Sequence, residues 1–194
     1  EIFAATCSGI KVCAKHVIVA TGGVSYPKTG SVGDGQRFAR RLGHSVTPFR
    51  PGLAGLEVSP EHWAAGLEGV ALPNVALYWH LDTDTFRCSG EITFSRRGIL
   101  GPAAVDMSRL ISRQSRSNAT LHLDVCPDLS QDQLTEQLEK CSLESALSQL
   151  GIPKPVAKII LASGGGKHGK ALAQFLKALP MPIVKLRPLK EAMV

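Results

Sequence analysis

The sequence predicts an α+β chain in two parts, and three features carry that prediction. An unbroken apolar run, Val17-Ile18-Val19-Ala20, ends in a loop rich in Gly, Ser, Thr and Pro that feeds a short amphipathic helix. Pro48 and Pro51 then mark a linker. Beyond it the pattern is strand-like at first and helical after Pro127, giving a β-rich section followed by a cluster of short helices.

The elements follow in order. Ile2 to Cys7 and Ile10 to Cys13 flank Ser8-Gly9, a turn signal that suits a hairpin. Val17 to Ala20 is expected to be a strand, because successive apolar, β-branched residues suit one covered on both faces. The helix from Gln36 to Leu42 stops at Gly43, the residue type that most readily ends a helix. Asn74 to Leu81 and Glu91 to Phe94 read as strands, and Gly101 to Ser112 as a helix with Pro102 in its first turn. Residues 119–125 alternate in part, as a half-buried strand does. Ser130-Gln131-Asp132-Gln133 matches a capping box. Helical segments near 131–140, 143–150, 153–162 and 168–178 follow, and Ile183 to Leu186 returns as a strand.

Of 194 residues, 44% are apolar and 20% charged, the balance of a soluble globular protein. No apolar run approaches the roughly 18 residues of a membrane span. Both chain ends read as cut from something longer. The five cysteines are scattered and form no C-x-x-C pair, so free thiols in a reducing cytoplasm are expected rather than disulfides or structural zinc. The six histidines show no metal-binding spacing, and no metal site is expected. Net charge is +6 and uneven: 151–190 holds eight Lys and Arg residues and no Asp or Glu. Such a stretch suits either a solvated helical face or an RNA contact.

The chemistry-bearing signal is Ala20-Thr21-Gly22-Gly23, followed by Thr29-Gly30-Ser31-Val32-Gly33-Asp34-Gly35 and the helix. Glycines without Cβ let a backbone approach a dinucleotide closely. The same glycines also suit an ordinary strand–loop–helix connection. A second glycine run, Gly164-Gly165-Gly166-Lys167-His168-Gly169-Lys170-Ala171, fits a phosphate-binding loop except that Ala171 lacks the hydroxyl needed for magnesium. Lys158 to Ala162 would then be the strand that precedes it; the other reading is a flexible basic link between helices. Arg96-Arg97 suits an anionic ligand group or solvent.

The stretch Ala20 to Gly35, continued by Leu42-Gly43-His44 and Pro51, resembles the second FAD motif of the YhiN/BaiN-type, aminoacetone-oxidase-like flavoproteins. Gly90-Glu91-Ile92-Thr93-Phe94-Ser95-Arg96-Arg97-Gly98-Ile99-Leu100-Gly101-Pro102 resembles the signature of their inserted domain. Ser95, Arg96 and Leu100 stand where Thr, His and Ser are usual, so no catalytic residue is carried over. The resemblance implies that residues 1–51 complete a GxGxxG-type FAD-binding domain whose own GxGxxG loop is absent here. It implies that 52–185 form an inserted, substrate-covering domain and that 186–194 lead back to the flavin domain. FAD would lie along Ala20, Thr21, Gly22, Gly23, Thr29, Gly30, Gly33, Asp34 and Gly35, with NAD(P)H as a possible electron donor and a small molecule as substrate. Exposed strand edges in the first part would allow a homo-oligomer.

Overall fold

The computed structural model describes residues 3–116, 118–163 and 167–192. They form two compact units, Glu1–Pro48 and Phe49–Val194.

The first unit opens with an antiparallel hairpin, β1 (Phe3–Cys7) and β2 (Ile10–Ala14). Ser8 and Gly9 both have positive φ, the pattern of the tight turns that match strand twist. Helix α1 (Asp34–Arg41) ends as expected: the Gly43 amide donates to the Arg40 carbonyl at 3.1 Å and the His44 amide to Ala39 at 3.0 Å. Val17 to Ala20, expected as a strand, is not one. A strand exists by pairing, and no described segment of the unit pairs with this run. Ile18 is 91% exposed.

The second unit is a closed six-stranded barrel carrying helices. Its strands are β3 (Leu56–Val58), β4 (Ala71–Leu81), β5 (Asp84–Ser95), β6 (Gly98–Leu100), β7 (Ala119–Asp124) and β8 (Leu179–Leu186), ordered β3-β6-β5-β4-β7-β8. All pairings are antiparallel. Period-2 alternation sends Leu77, Trp79, Leu121, Leu123, Met181 and Ile183 into the core. Helix α2 (Pro102–Arg113) packs on β4, β5 and β6 and adds Ala103, Met107 and Ile111 to that core. Gly98 has a positive φ, and a Cβ there would sit 2.0 Å from the Leu56 carbonyl oxygen. Only glycine lets β6 lie this close to β3.

Four helices follow β7: α3 (Gln131–Glu139), α4 (Leu143–Gln149), α5 (Lys154–Ser163) and α6 (Gly169–Lys177). The capping box at the start of α3 forms in full: the Ser130 amide donates to Gln133 Oε1 at 2.9 Å and the Gln133 amide to Ser130 Oγ at 3.2 Å. The buried Asp124 clamps these helices to the barrel. One carboxylate oxygen accepts the Cys126 amide at 2.9 Å, and the other meets Lys177 Nζ of α6 at 2.7 Å. The same ammonium donates to the carbonyls of Cys126 and Leu129 at 2.9 and 2.7 Å.

Because Lys158 to Ala162 lies within α5, no strand precedes the second glycine run, and the phosphate-loop reading of it is overturned. Gly164–Gly166 themselves lie outside the described residues. Among the described residues no helix is long and apolar enough to cross a membrane, and no cluster of His, Cys, Asp and Glu could hold a metal.

Candidate functional site

In the first unit the two halves of the glycine loop fold back on each other. The Gly33 amide donates to the Gly23 carbonyl at 3.0 Å. A Cβ on Gly22 would fall 2.7 Å from Ser31 Cβ, and one on Gly35 would fall 2.8 Å from Thr21 Oγ1. These glycines therefore serve packing within the loop, with Gly22 also at a positive φ. Gly23 and Gly30 differ, because the space beside each is open. Thr29 spends its hydroxyl on the Tyr26 carbonyl at 2.8 Å, closing the 3-10 turn Pro27–Thr29. Asp34 pairs with Arg37 one helical turn on.

Ala20, Thr21, Gly22 and Gly35 line an open groove of about 370 Å³ together with Val19, Gln36, Ala39 and Val46. Its lining is mostly small or apolar with two polar side chains, Thr21 and Gln36, the make-up common to small-molecule sites. The Gln36 side-chain oxygen is buried there without a hydrogen-bond partner among the described residues. Sequence reasoning missed Gln36: a helical Gln carries no motif, and only its unsatisfied oxygen marks it. The groove brings together four of the nine predicted residues. Asp34 and Thr29 are occupied locally, and Gly23, Gly30 and Gly33 lie along the loop outside the groove lining.

In the second unit the signature segment forms the tight β5–β6 hairpin, with Ser95 opposite Gly98. An ionic network fixes its tip. Ser95 Oγ donates to the Gly98 carbonyl at 3.0 Å and accepts from Arg187 Nη2 at 2.8 Å. Arg97 reaches the buried Glu57 at 3.2 Å and Glu191 at 2.5 Å. Lys185 also meets Glu57 at 3.2 Å, and Arg187 approaches Glu191 at 3.9 Å. Arg97 is thus committed to the barrel, while Arg96 is exposed at the hairpin tip. The sequence expectation left the two arginines equivalent; partner supply separates them. Glu57 and Glu191 were missed, since isolated carboxylates carry no signal until their partners are placed.

On the barrel side, burial holds the His62 imidazole below its ordinary range, opposed by a hydrogen bond to the Pro180 carbonyl. Its Nδ1 accepts from the Ala64 amide, so Nε2 carries the proton and donates to Pro180 at 3.2 Å. Neither contact leaves this ring free for acid–base chemistry.

Residues 50–194 match the family described as HI0933-like protein barrel and H2TH domain. Three named relatives align with parts of the chain. A protein of Haemophilus influenzae named ribosomal RNA dihydrouridine synthase is 26% identical over 158 residues, covering 77% of this chain and 36% of the relative. A protein of Clostridium scindens named 3-dehydro-bile acid delta(4,6)-reductase is 30% identical over 148 residues, covering 72% of this chain and 35% of the relative. An Escherichia coli protein that shares the first name is 31% identical over 103 residues, covering 52% of this chain and 25% of its own length. The chain therefore spans a quarter to just over a third of the length of these curated relatives.

Proposed function

The chain belongs to the HI0933-like family, a flavoprotein-associated family, and on that premise we propose that it is the substrate-facing part of a flavin-dependent reductase. The observation that carries the reading is the similarity to a named reductase over nearly three quarters of the chain. The two names that the three relatives carry point to hydrogen added to a ring, which favours the reductive direction; NAD(P)H would be the electron source.

Residues 1–51 would complete the FAD-binding domain, 52–185 would form the substrate domain, and 186–194 would lead back towards the flavin domain. FAD would supply the two-electron chemistry. The groove fits such a group in part: Ala20, Thr21, Gly22 and Gly35 give a wall of small residues, Gln36 offers an unsatisfied acceptor, and the space beside Gly23 and Gly30 is open. The barrel would exclude water from the reaction and orient the substrate. Arg96, held out on a braced hairpin, would meet an anionic substrate group.

The test is the absorption spectrum of the intact protein. A flavin band that bleaches with NADH or NADPH and returns on addition of a conjugated enone or a uridine-containing RNA is expected. A protein purified without any flavin band, and unable to take up FAD, would overturn the reading. Gly22→Val should lower flavin content by forcing the loop apart at Ser31 while leaving the barrel folded. Residues 1–194 alone are expected not to hold FAD, since the pyrophosphate-binding turn of such domains is not among them; saturable micromolar binding in isothermal titration would refute that.

A second reading is favoured by the relatives named for ribosomal RNA: the substrate is RNA. The structure narrows the basic stretch that suggests it. Lys177, Lys185 and Arg187 are tied to Asp124, Glu57 and Glu191, whereas Lys154, Lys158 and Lys170 stay exposed on α5 and α6. An RNA contact through these would show a steep salt dependence.

A further inference from the structure

The outer face of the barrel carries a group of side chains that the flavin chemistry leaves unused. Where Ala76 of β4 lies opposite Asp124 of β7, the outer face is buried under the helices clamped by Lys177. Two residues further along β4 it opens. Tyr78 lies between Arg87 of β5 and His122 of β7, and His80 is paired with Thr85 of β5. Arg87 donates through Nε to the Tyr78 hydroxyl at 3.1 Å, and its guanidinium carbon stands 5.8 Å from that ring's centre. His80 shares a hydrogen bond with the Thr85 hydroxyl at 3.0 Å, and its ring centre is 5.5 Å from that of His122. Tyr78 and His122 are half-buried, while His80, Thr85 and Arg87 are exposed.

The alternation that builds this face turns the carboxylate nearest its rings, Asp84, away from it. Asp84 is paired with Leu81, so it points to the side of Trp79 and Phe86, not to the side of Tyr78. Asp124 is buried and neutralised by Lys177. His122 Nδ1 is buried with no hydrogen-bond partner among the described residues, an acceptor or donor still to be met. A sheet surface of this kind offers planar rings for stacking and an anchored guanidinium whose Nη atoms have no partner among the described residues; its one carboxylate on β5, that of Glu91, stands four residues along the strand from Arg87. A peptide partner would call for apolar side chains here or for an unpaired edge strand, and a closed barrel has no such edge. Single-stranded nucleic acid is recognised by this combination of stacked rings and cations.

We propose that the outer face of β5-β4-β7, centred on Tyr78, His80 and Arg87, is a docking platform for single-stranded RNA. The proposal rests on the RNA reading above and places the contact on the barrel rather than on the lysines of α5 and α6. Unpaired bases stack on Tyr78 and His80, and Arg87 meets the backbone phosphate between them.

Fluorescence anisotropy of a labelled ten-residue oligouridylate with this chain tests the platform, with a ten-base-pair RNA duplex for comparison. Saturable binding of the single strand, at least fivefold tighter than the duplex, is expected. Tyr78→Ala and His80→Ala should each weaken it fivefold or more, whereas Tyr78→Phe, which keeps the ring, should change it less than twofold. Tryptophan emission from Trp63 and Trp79 verifies that each variant is folded. Binding that survives Tyr78→Ala and His80→Ala but disappears in Lys154→Gln/Lys158→Gln/Lys170→Gln would overturn the platform and leave the RNA reading standing. No binding of either RNA, by this chain or by the intact protein, would overturn both.

Discussion

Residues 1–48 and residues 49–194 draw on the same kinds of apolar residue and bury them very differently. In the second unit Leu56, Leu77, Ile92, Phe94, Ile99 and Leu121 are essentially inaccessible. In the first, Ile10, Val12, Val17, Ile18, Val19, Phe38 and Leu42 are exposed, and among the described side chains no apolar residue before Ala54 is buried. The second unit closes its sheet on itself, so every strand has two neighbours and alternation suffices to fill the interior. The first holds a two-stranded hairpin, an unpaired apolar run and one short helix, too little to shield any face. Apolar content alone therefore does not make a core; the number of strands that can pair decides.

The largest effect that would sharpen this contrast comes from the barrel interior. Phe94 is 1% exposed, packs 5.9 Å from the Trp63 ring centre, and is paired through its backbone to Val70 and Gly69. Phe94→Ala should cost about 4 kcal/mol, the range for truncating a buried aromatic. Urea unfolding followed by tryptophan emission measures this directly, because both tryptophans lie in the second unit. A loss under about 1 kcal/mol would mean that the barrel interior is not close-packed.

Next comes the clamp between the barrel and its helices. Lys177→Met would leave the Asp124 carboxylate buried without its cation, at a cost of about 3 kcal/mol. Asp124→Asn/Lys177→Met should recover part of that loss, since an asparagine oxygen can still accept the Cys126 amide and no charge stays buried. A double variant as unstable as the sum of the two single ones would show that the pair does not act as a unit.

Much of this architecture was legible. The helices α2 to α6 follow from apolar spacing, the Pro102 start and the Ser130 capping box, all local features that propensity and capping read well. Strands β3 and β6 were not foreseen because three residues, Leu56–Val58 or Gly98–Leu100, are too few to display a period. Val17 to Ala20 has the composition of a strand, but pairing is a property of its surroundings, not of its residues. At the site, glycines and Arg96-Arg97 advertised themselves, whereas Gln36, Glu57 and Glu191 became visible only through the partners that the fold gives them or withholds.

A smaller effect appears at high pH. Burial, reinforced by the negative charge of Asp124, pushes the Cys126 thiol from its ordinary 9.0 up to about 12. Below pH 9.0 both folded and unfolded chains carry the proton, and the residue adds no pH dependence. Above it the unfolded chain releases the proton while the folded one retains it, so stability falls as pH rises from 9.0 towards about 12. The slope is about 1.4 kcal/mol per pH unit for one group. Cys126→Ala should unfold with a pH profile flatter by that amount across the window, in the same urea experiment; parallel profiles would place Cys126 in a wetter setting than its burial implies.

The smallest effect is the one that most directly probes the first unit. Ile18 is 91% exposed, more so than any other large apolar residue among the described side chains, and sits within the apolar run. Replacing it with serine removes little packing among the described residues, so the barrel's urea midpoint should move by less than about 0.5 kcal/mol, the range of surface substitutions. The consequence should appear in self-association instead. Exposed apolar runs beside unpaired strand edges attract one another, and Ile18→Ser should lower the concentration-dependent light scattering of this chain. In the intact protein, where the proposed flavin domain would cover the run, the same substitution should destabilise by about 1–2 kcal/mol through lost burial. A midpoint unchanged in both contexts would mean that the run is a surface feature with no cover, and that its strand-like composition has another cause.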